Sequence, residues 1–203
     1  MRTVDPTTSA SLPGRLAISR RRYARYFCPK PEARWFFLFG SFLPWFMRGV
    51  PTFGRLVWHW TQTREHFLYG CLNPAIVLDA RAGLVAVFTN LTAIGNKPTP
   101  VVKIKRERLD LIDPARVENG ARFASVAVYF SSPECMARGH WADFNPIVVD
   151  CLVSSRSACE NALERLQPTS WQALRTGLRS IENRQEIGLH HVDVPHDIAR
   201  DTF

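Results

Sequence analysis

Glycine is sparse in this chain, at 11 of 203 residues. No glycine-rich phosphate loop or dinucleotide fingerprint can be assembled from it. The Gly-x-Ser-x-Gly and His-Glu-x-x-His patterns of hydrolases and zinc proteases are absent too. The five cysteines (Cys28, Cys71, Cys135, Cys151 and Cys159) are odd in number, widely spaced and without a Cys-x-x-Cys pair. That spacing argues against a disulfide framework or a zinc ribbon and predicts free thiols in a reducing compartment. A secretory signal is also missing, because Met1–Pro13 is polar and no apolar run follows early. No cofactor is expected from any of these patterns.

Long hydrophobic runs are likewise missing. The uncharged aromatic stretch "WFFLFGSFLPWFM" at 35–47 has only 13 residues. As a helix it would reach about 20 Å, well short of the roughly 30 Å hydrocarbon core of a bilayer. Gly40 and Pro44 weaken it, and extending it to Trp60 gathers Arg48 and Arg55. A spanning helix is disfavoured.

What is present is unevenly distributed. The formal net charge is +8, and residues 1–70 hold 11 Lys/Arg against 3 Asp/Glu, whereas the remainder holds 15 of each. The same first third carries 15 of the 23 aromatic residues, all between Tyr23 and Tyr69. These counts place a boundary near Gly70 and predict three parts: a disordered tail over 1–14, a basic and aromatic helical extension over 15–70, and a β-rich α+β domain over 71–203.

In the extension, Arg20, Arg21, Arg22 and Arg25 stand beside Tyr23, Tyr26 and Phe27. Residues 51–70 read as an amphipathic helix stopped by Gly70. Within it Trp58 and Trp60 lie two positions apart, so one core face cannot hold both. The candidate contact residues are therefore Arg20, Arg21, Arg22, Arg25, Trp35, Phe36, Phe39, Trp45, Phe46 and Trp58. Arginines with interfacial aromatics suit an anionic membrane surface or a protein partner. Nucleic acid ranks lower, because the aromatics form one contiguous block instead of interleaving with the charges. The expected role is a non-enzymatic binding or adaptor protein, cytoplasmic or peripheral at the inner face of the membrane.

From residue 74 the hydrophobic period becomes two. Segments 75–80, 83–90, 99–106, 121–130 and 146–153 read as strands, with "DARAG" closing a hairpin between the first two. The phrase Asn-Pro followed by an aliphatic run and an Asp occurs twice, at 73–79 and 145–150, and reads as a strand-start signal. Helices opened by capping boxes at Ser157–Glu160 and Thr169–Gln172 follow, then a final strand over 188–194. The fold expected is a small antiparallel β-barrel or curled sheet of five to six strands with a carboxy-terminal helical hairpin.

Few residues suggest chemistry. An acid–base pair of Asp79 and Asp150 would need a shared cleft that the spacing does not demand. His190, His191, Asp193 and His196 are the best metal constellation, but adjacent strand residues point to opposite faces, so no metal site is expected. His140, Trp141 and Asp143 sit in a loop before a strand and form the alternative, enzymatic candidate site. The phrases "HFLYGCLNPAIVL", "LVAVFTNL", "PVVKIKR", "GARFASVAVY", "HWADFNPIVVDC" and "WQALRTGL" together resemble an uncharacterised bacterial domain family of unknown function over residues 66–194. That resemblance implies no activity and transfers no site residue.

Overall fold

The computed structural model describes residues 10–28, 30–39, 51–93 and 98–195. Three helices lead: α1 (Arg20–Phe27), α2 (Pro31–Phe39) and α3 (Pro51–Tyr69). The strands are β1 (Cys71–Asp79), β2 (Leu84–Asn90), β3 (Pro100–Arg106), β4 (Arg122–Phe130), β5 (Asp143–Val148) and β6 (Gly188–His191). They form one antiparallel sheet in the order β5-β4-β1-β2-β3-β6. A short helix α4 (Pro133–Ala137) precedes β5. Helices α5 (Val149–Leu152), α6 (Arg156–Glu164) and α7 (Pro168–Arg179) separate β5 from β6. The result is the curled α+β sheet that the alternating strands predict.

Two-residue periodicity divides the strands into two apolar faces. Odd-numbered residues such as Ala75, Val77, Val85, Val87 and Val101 fill the concave side together with Phe144 and Val148. Even-numbered residues such as Leu72, Ala86, Phe88, Val102 and Ile104 pack outward beneath the helices. The outward cluster also takes Tyr23 and Ala24 from α1, Phe37 from α2, and Leu174 and Leu178 from α7. The basic extension therefore shares a core with the sheet. Residues 10–16 are tied in as well. Leu12 O accepts from Leu72 N, Gly14 N donates to Gly70 O, and Leu16 N donates to Phe67 O, all at 2.9 Å. Residues 1–9 of the tail lie outside the described residues.

Curling brings β5 close to β3, and lysine side chains bridge the gap. Lys103 Nζ donates to both carboxylate oxygens of Asp143, at 2.9 and 2.8 Å, and to Phe144 O at 2.7 Å. Lys105 Nζ donates to Pro146 O at 2.7 Å. Glu107 Oε2 accepts from Val148 N at 3.2 Å. The outer edge of β5, which would otherwise expose its backbone groups, is thus satisfied by side chains from β3 and the residue after it.

The two Asn-Pro phrases lie inside strands, two residues beyond their starts, and not at the starts that the sequence suggests. Each proline stands where the ladder needs no donor. Pro74 lies just ahead of the β1–β2 pairing, which begins at Ala75. Pro146 faces the lysine-bridged edge of β5. Gly70 follows α3 at a close approach, where a Cβ would lie 2.5 Å from His66 O and 2.9 Å from Ala127 O. The "DARAG" hairpin closes as predicted. Asp79 Oδ1 accepts from Arg81 N and Ala82 N, and Gly83 adopts φ 65°.

Other expectations are corrected. The apolar run 146–153 is not one strand, because the chain turns into α5 at Val149. All four residues of α5 are buried, so the run lacks the alternation that separates strand from helix. Helix α6 is capped by Ser155, whose Oγ accepts from Ala158 N, and not by Ser157. Helix α7 starts at Pro168 with Gln167 at the N-cap, since proline suits the first helical turn. The last strand stops at His191.

Candidate functional site

The extension offers two surfaces of different character. On its inner side Tyr23 is fully buried and its hydroxyl lies 2.6 Å from His59 Nδ1. The Tyr23 ring packs edge-on to Trp60 at 4.8 Å and against Phe37 at 5.0 Å. Burial pushes the Tyr23 hydroxyl above its ordinary range and holds His59 below the usual imidazole value. This side is core.

On the outer side Trp35 is 67% exposed and Trp58 is 55% exposed. Val57 beside Trp58 is also exposed, as are Arg15, Arg20, Arg21, Arg25, Arg55 and Arg64. Trp58 and Trp60, two positions apart on α3, thus face solvent and core respectively. Arg20 is partly engaged: its guanidinium donates to Phe37 O at 2.9 Å and lies over the Phe37 ring. The side chains of Phe36 and Phe39, and the whole of Trp45 and Phe46, lie outside the described residues.

Arg22 departs from the other arginines. It turns inward, and its Nη1 donates to Leu111 O at 3.1 Å and to Asp150 O. It lines a cleft of about 180 Å³ with Arg116, Arg156, Asp113, Asp150 and Cys159. Asp150 is buried and ion-paired with Arg116. Asp79 sits instead in the β1–β2 turn, so the two aspartates serve separate local purposes. Nothing in the sequence marked this cleft, because its arginines come from positions 22, 116 and 156.

The loop before β5 is structural in its contacts. His140 Nδ1 lies 2.9 Å from Trp141 O. Trp141 is half-buried against Tyr129, with ring centroids 5.9 Å apart. Both Asp143 oxygens are held by Lys103, and one also accepts from Phe144 N. His190 Nε2 lies 3.0 Å from Glu186 O, and His196 lies outside the described residues. Among the described residues no three His, Cys, Asp or Glu side chains cluster to hold a metal. No described helix is long and apolar enough to cross a membrane.

Comparison with known proteins is consistent with the sequence resemblance. A crystal structure described as that of "a putative membrane protein from Corynebacterium diphtheriae" is similar over 60% of this chain and 99% of that one, at 16% identity and a TM-score of 0.45. No curated protein matches. The family model of the domain of unknown function DUF3239 matches residues 59–182, from the second half of α3 to just beyond α7, and the chain belongs to that family.

Proposed function

We propose that this protein is a non-catalytic binding protein that docks on an anionic membrane surface through α1, α2 and α3. The observation that carries this reading is the exposure of Trp35 and Trp58 on helices whose Tyr23, Phe37 and Phe67 are buried in the core. Large aromatics left in water on a helix that also presents several arginines fit a membrane interface. There the ring lies at the acyl boundary, and each cation near anionic headgroups contributes about 1 kcal/mol. Arg21 and Arg25 supply that charge, with Arg15, Arg55 and Arg64 as further exposed cations. Because the inner faces of the same helices are part of the core, docking requires no unfolding of the extension.

Tryptophan quenching by brominated phosphatidylglycerol vesicles tests the reading. Quenching is expected with the wild type and is expected to fall in Trp58→Phe. Equal quenching in both, or none in either, would remove Trp58 from the interface.

A further inference from the structure

The cleft that holds Arg22 is built from separate parts of the chain. Its walls come from α1, the 3₁₀ turn Pro114–Arg116, α5 and the start of α6. Three guanidinium groups (Arg22, Arg116, Arg156) face two carboxylates (Asp113, Asp150). Asp150 is matched by Arg116, whose guanidinium is also held over the Phe123 ring. Asp113 Oδ1 caps the 3₁₀ turn by accepting from Ala115 N at 3.1 Å. Arg22 is fixed by two carbonyl oxygens, which position its guanidinium without neutralising it. Arg156, 72% exposed, pairs with Glu160 one turn along its own helix and also feels the Asp113 carboxylate. The first turn of α6 carries no acid, and exposed Ser154 stands at the cleft wall just ahead of it.

We propose that this cleft binds a phosphate monoester. The lining carries three arginines against two aspartates, with Glu160 outside it paired to Arg156. Two of the arginines are already oriented by the fold, so little ordering remains to be done on binding. Guanidinium groups match the paired oxygens of phosphate, and the N–H groups opening α6 add donors of the right sign. Size selects the ligand further. About 180 Å³ is below the roughly 300–1,000 Å³ of pockets that enclose whole drug-sized ligands. The cleft therefore takes one phosphate group and leaves the rest of the molecule outside. This inference does not depend on the tryptophan face.

Glycerol 3-phosphate, titrated calorimetrically into the full chain at low salt, tests it. Saturable one-to-one binding is expected. Arg156→Gln removes an exposed side chain and is expected to weaken binding about tenfold without moving the thermal midpoint. Asp113→Asn, which keeps a capping oxygen, is expected to tighten binding. Arg179→Gln, on the exposed side of α7, is expected to change nothing. Opposite effects at 156 and 113 cannot arise from loss of fold. No saturation, or equal weakening by Arg156→Gln and Arg179→Gln, overturns the proposal.

The source of the phosphate is separated by vesicles of phosphatidic acid and of phosphatidylglycerol. A preference for phosphatidic acid that Arg156→Gln abolishes supports a lipid headgroup. Binding of glycerol 3-phosphate with no such preference supports a soluble monoester. Trp35→Ser/Trp58→Ser is expected to leave glycerol 3-phosphate binding intact, so the cleft and the docking face can fail separately.

Discussion

The Tyr26 hydroxyl donates to Glu107 Oε1 at 2.6 Å, joining the arginine-rich helix α1 to the residue that follows β3. Glu107 is buried. Besides Tyr26 it accepts from Arg108 N at 2.9 Å, Val148 N at 3.2 Å and Lys105 Nζ at 3.3 Å. One carboxylate thus closes the seam between β3 and β5 and fastens the extension beside it. Burial and the neighbouring carboxylate push the Tyr26 hydroxyl well above its ordinary range, so this proton stays on the tyrosine.

Tyr26→Phe is expected to cost about 1.5–3 kcal/mol, the range for a hydrogen bond to a charged group. Glu107→Ala is expected to cost about 3–5 kcal/mol, because it strands the half-buried Lys105 ammonium and the Val148 amide. Urea denaturation measures both. Equal, small losses in the two variants would deny Glu107 its central place.

Lys103→Met is expected to open the barrel seam locally, since it removes three hydrogen bonds to β5. Amide exchange in β5 should accelerate, while exchange in the β1–β2 hairpin should hardly change. Uniform acceleration across the sheet would mean that the seam has no local role.

Much of this architecture is legible in the sequence. The alternation of Val102, Lys103, Ile104 and Lys105 marks one wet and one dry face of β3. What it conceals is that the wet face points into the concave side, where both lysines find β5. Lysine in a strand reads as solvated, and only the curl of the sheet shows otherwise. The turn into α5 is hidden for another reason: Val148 to Leu152 is apolar around the buried Asp150, and such a run suits a strand or a buried helix equally. The cleft at Arg22 is invisible because its charges are brought together by tertiary structure alone. In contrast, the opposed faces of Trp58 and Trp60 follow directly from helical geometry.

Stability should fall on mild acidification. Burial holds His59 and His66 below the usual imidazole value, so near pH 6 the unfolded chain binds more protons than the folded one. The stabilisation is fully present above the unfolded value of about 6.5 and is lost as pH falls through that value toward the lowered folded one. The Asp110 contribution, from a value that Arg108 lowers, is present above the usual carboxylate range and is lost only as pH falls below it, so it does not enter between pH 7.5 and 5. Urea midpoints at pH 7.5 and 5 should differ, and His66→Gln should reduce the difference. A midpoint that does not change between those two values would contradict this.

The cysteines should react unequally. Burial pushes the Cys71 thiol up to about 11 and Cys159 up to about 12, and it raises Cys28 and Cys151 as well. Cys135, on α4, is the partly exposed one. A disulfide reagent should therefore label one thiol quickly in the folded protein and the rest only in denaturant. Cys135→Ser should abolish the fast phase, and a fast phase that survives it would contradict the assignment.

The most direct test of the docking account is co-sedimentation with phosphatidylglycerol and phosphatidylcholine vesicles, comparing the wild type with Trp35→Ser/Trp58→Ser. Side-chain variants serve better than truncation at Gly70, which would remove Tyr23, Phe37 and Phe67 from the core. The account predicts that the wild type sediments with phosphatidylglycerol alone, less so as salt rises, and that the double variant, equally stable, stays in the supernatant. A wild type that remains unbound, or a double variant that sediments as well as the wild type, would contradict it.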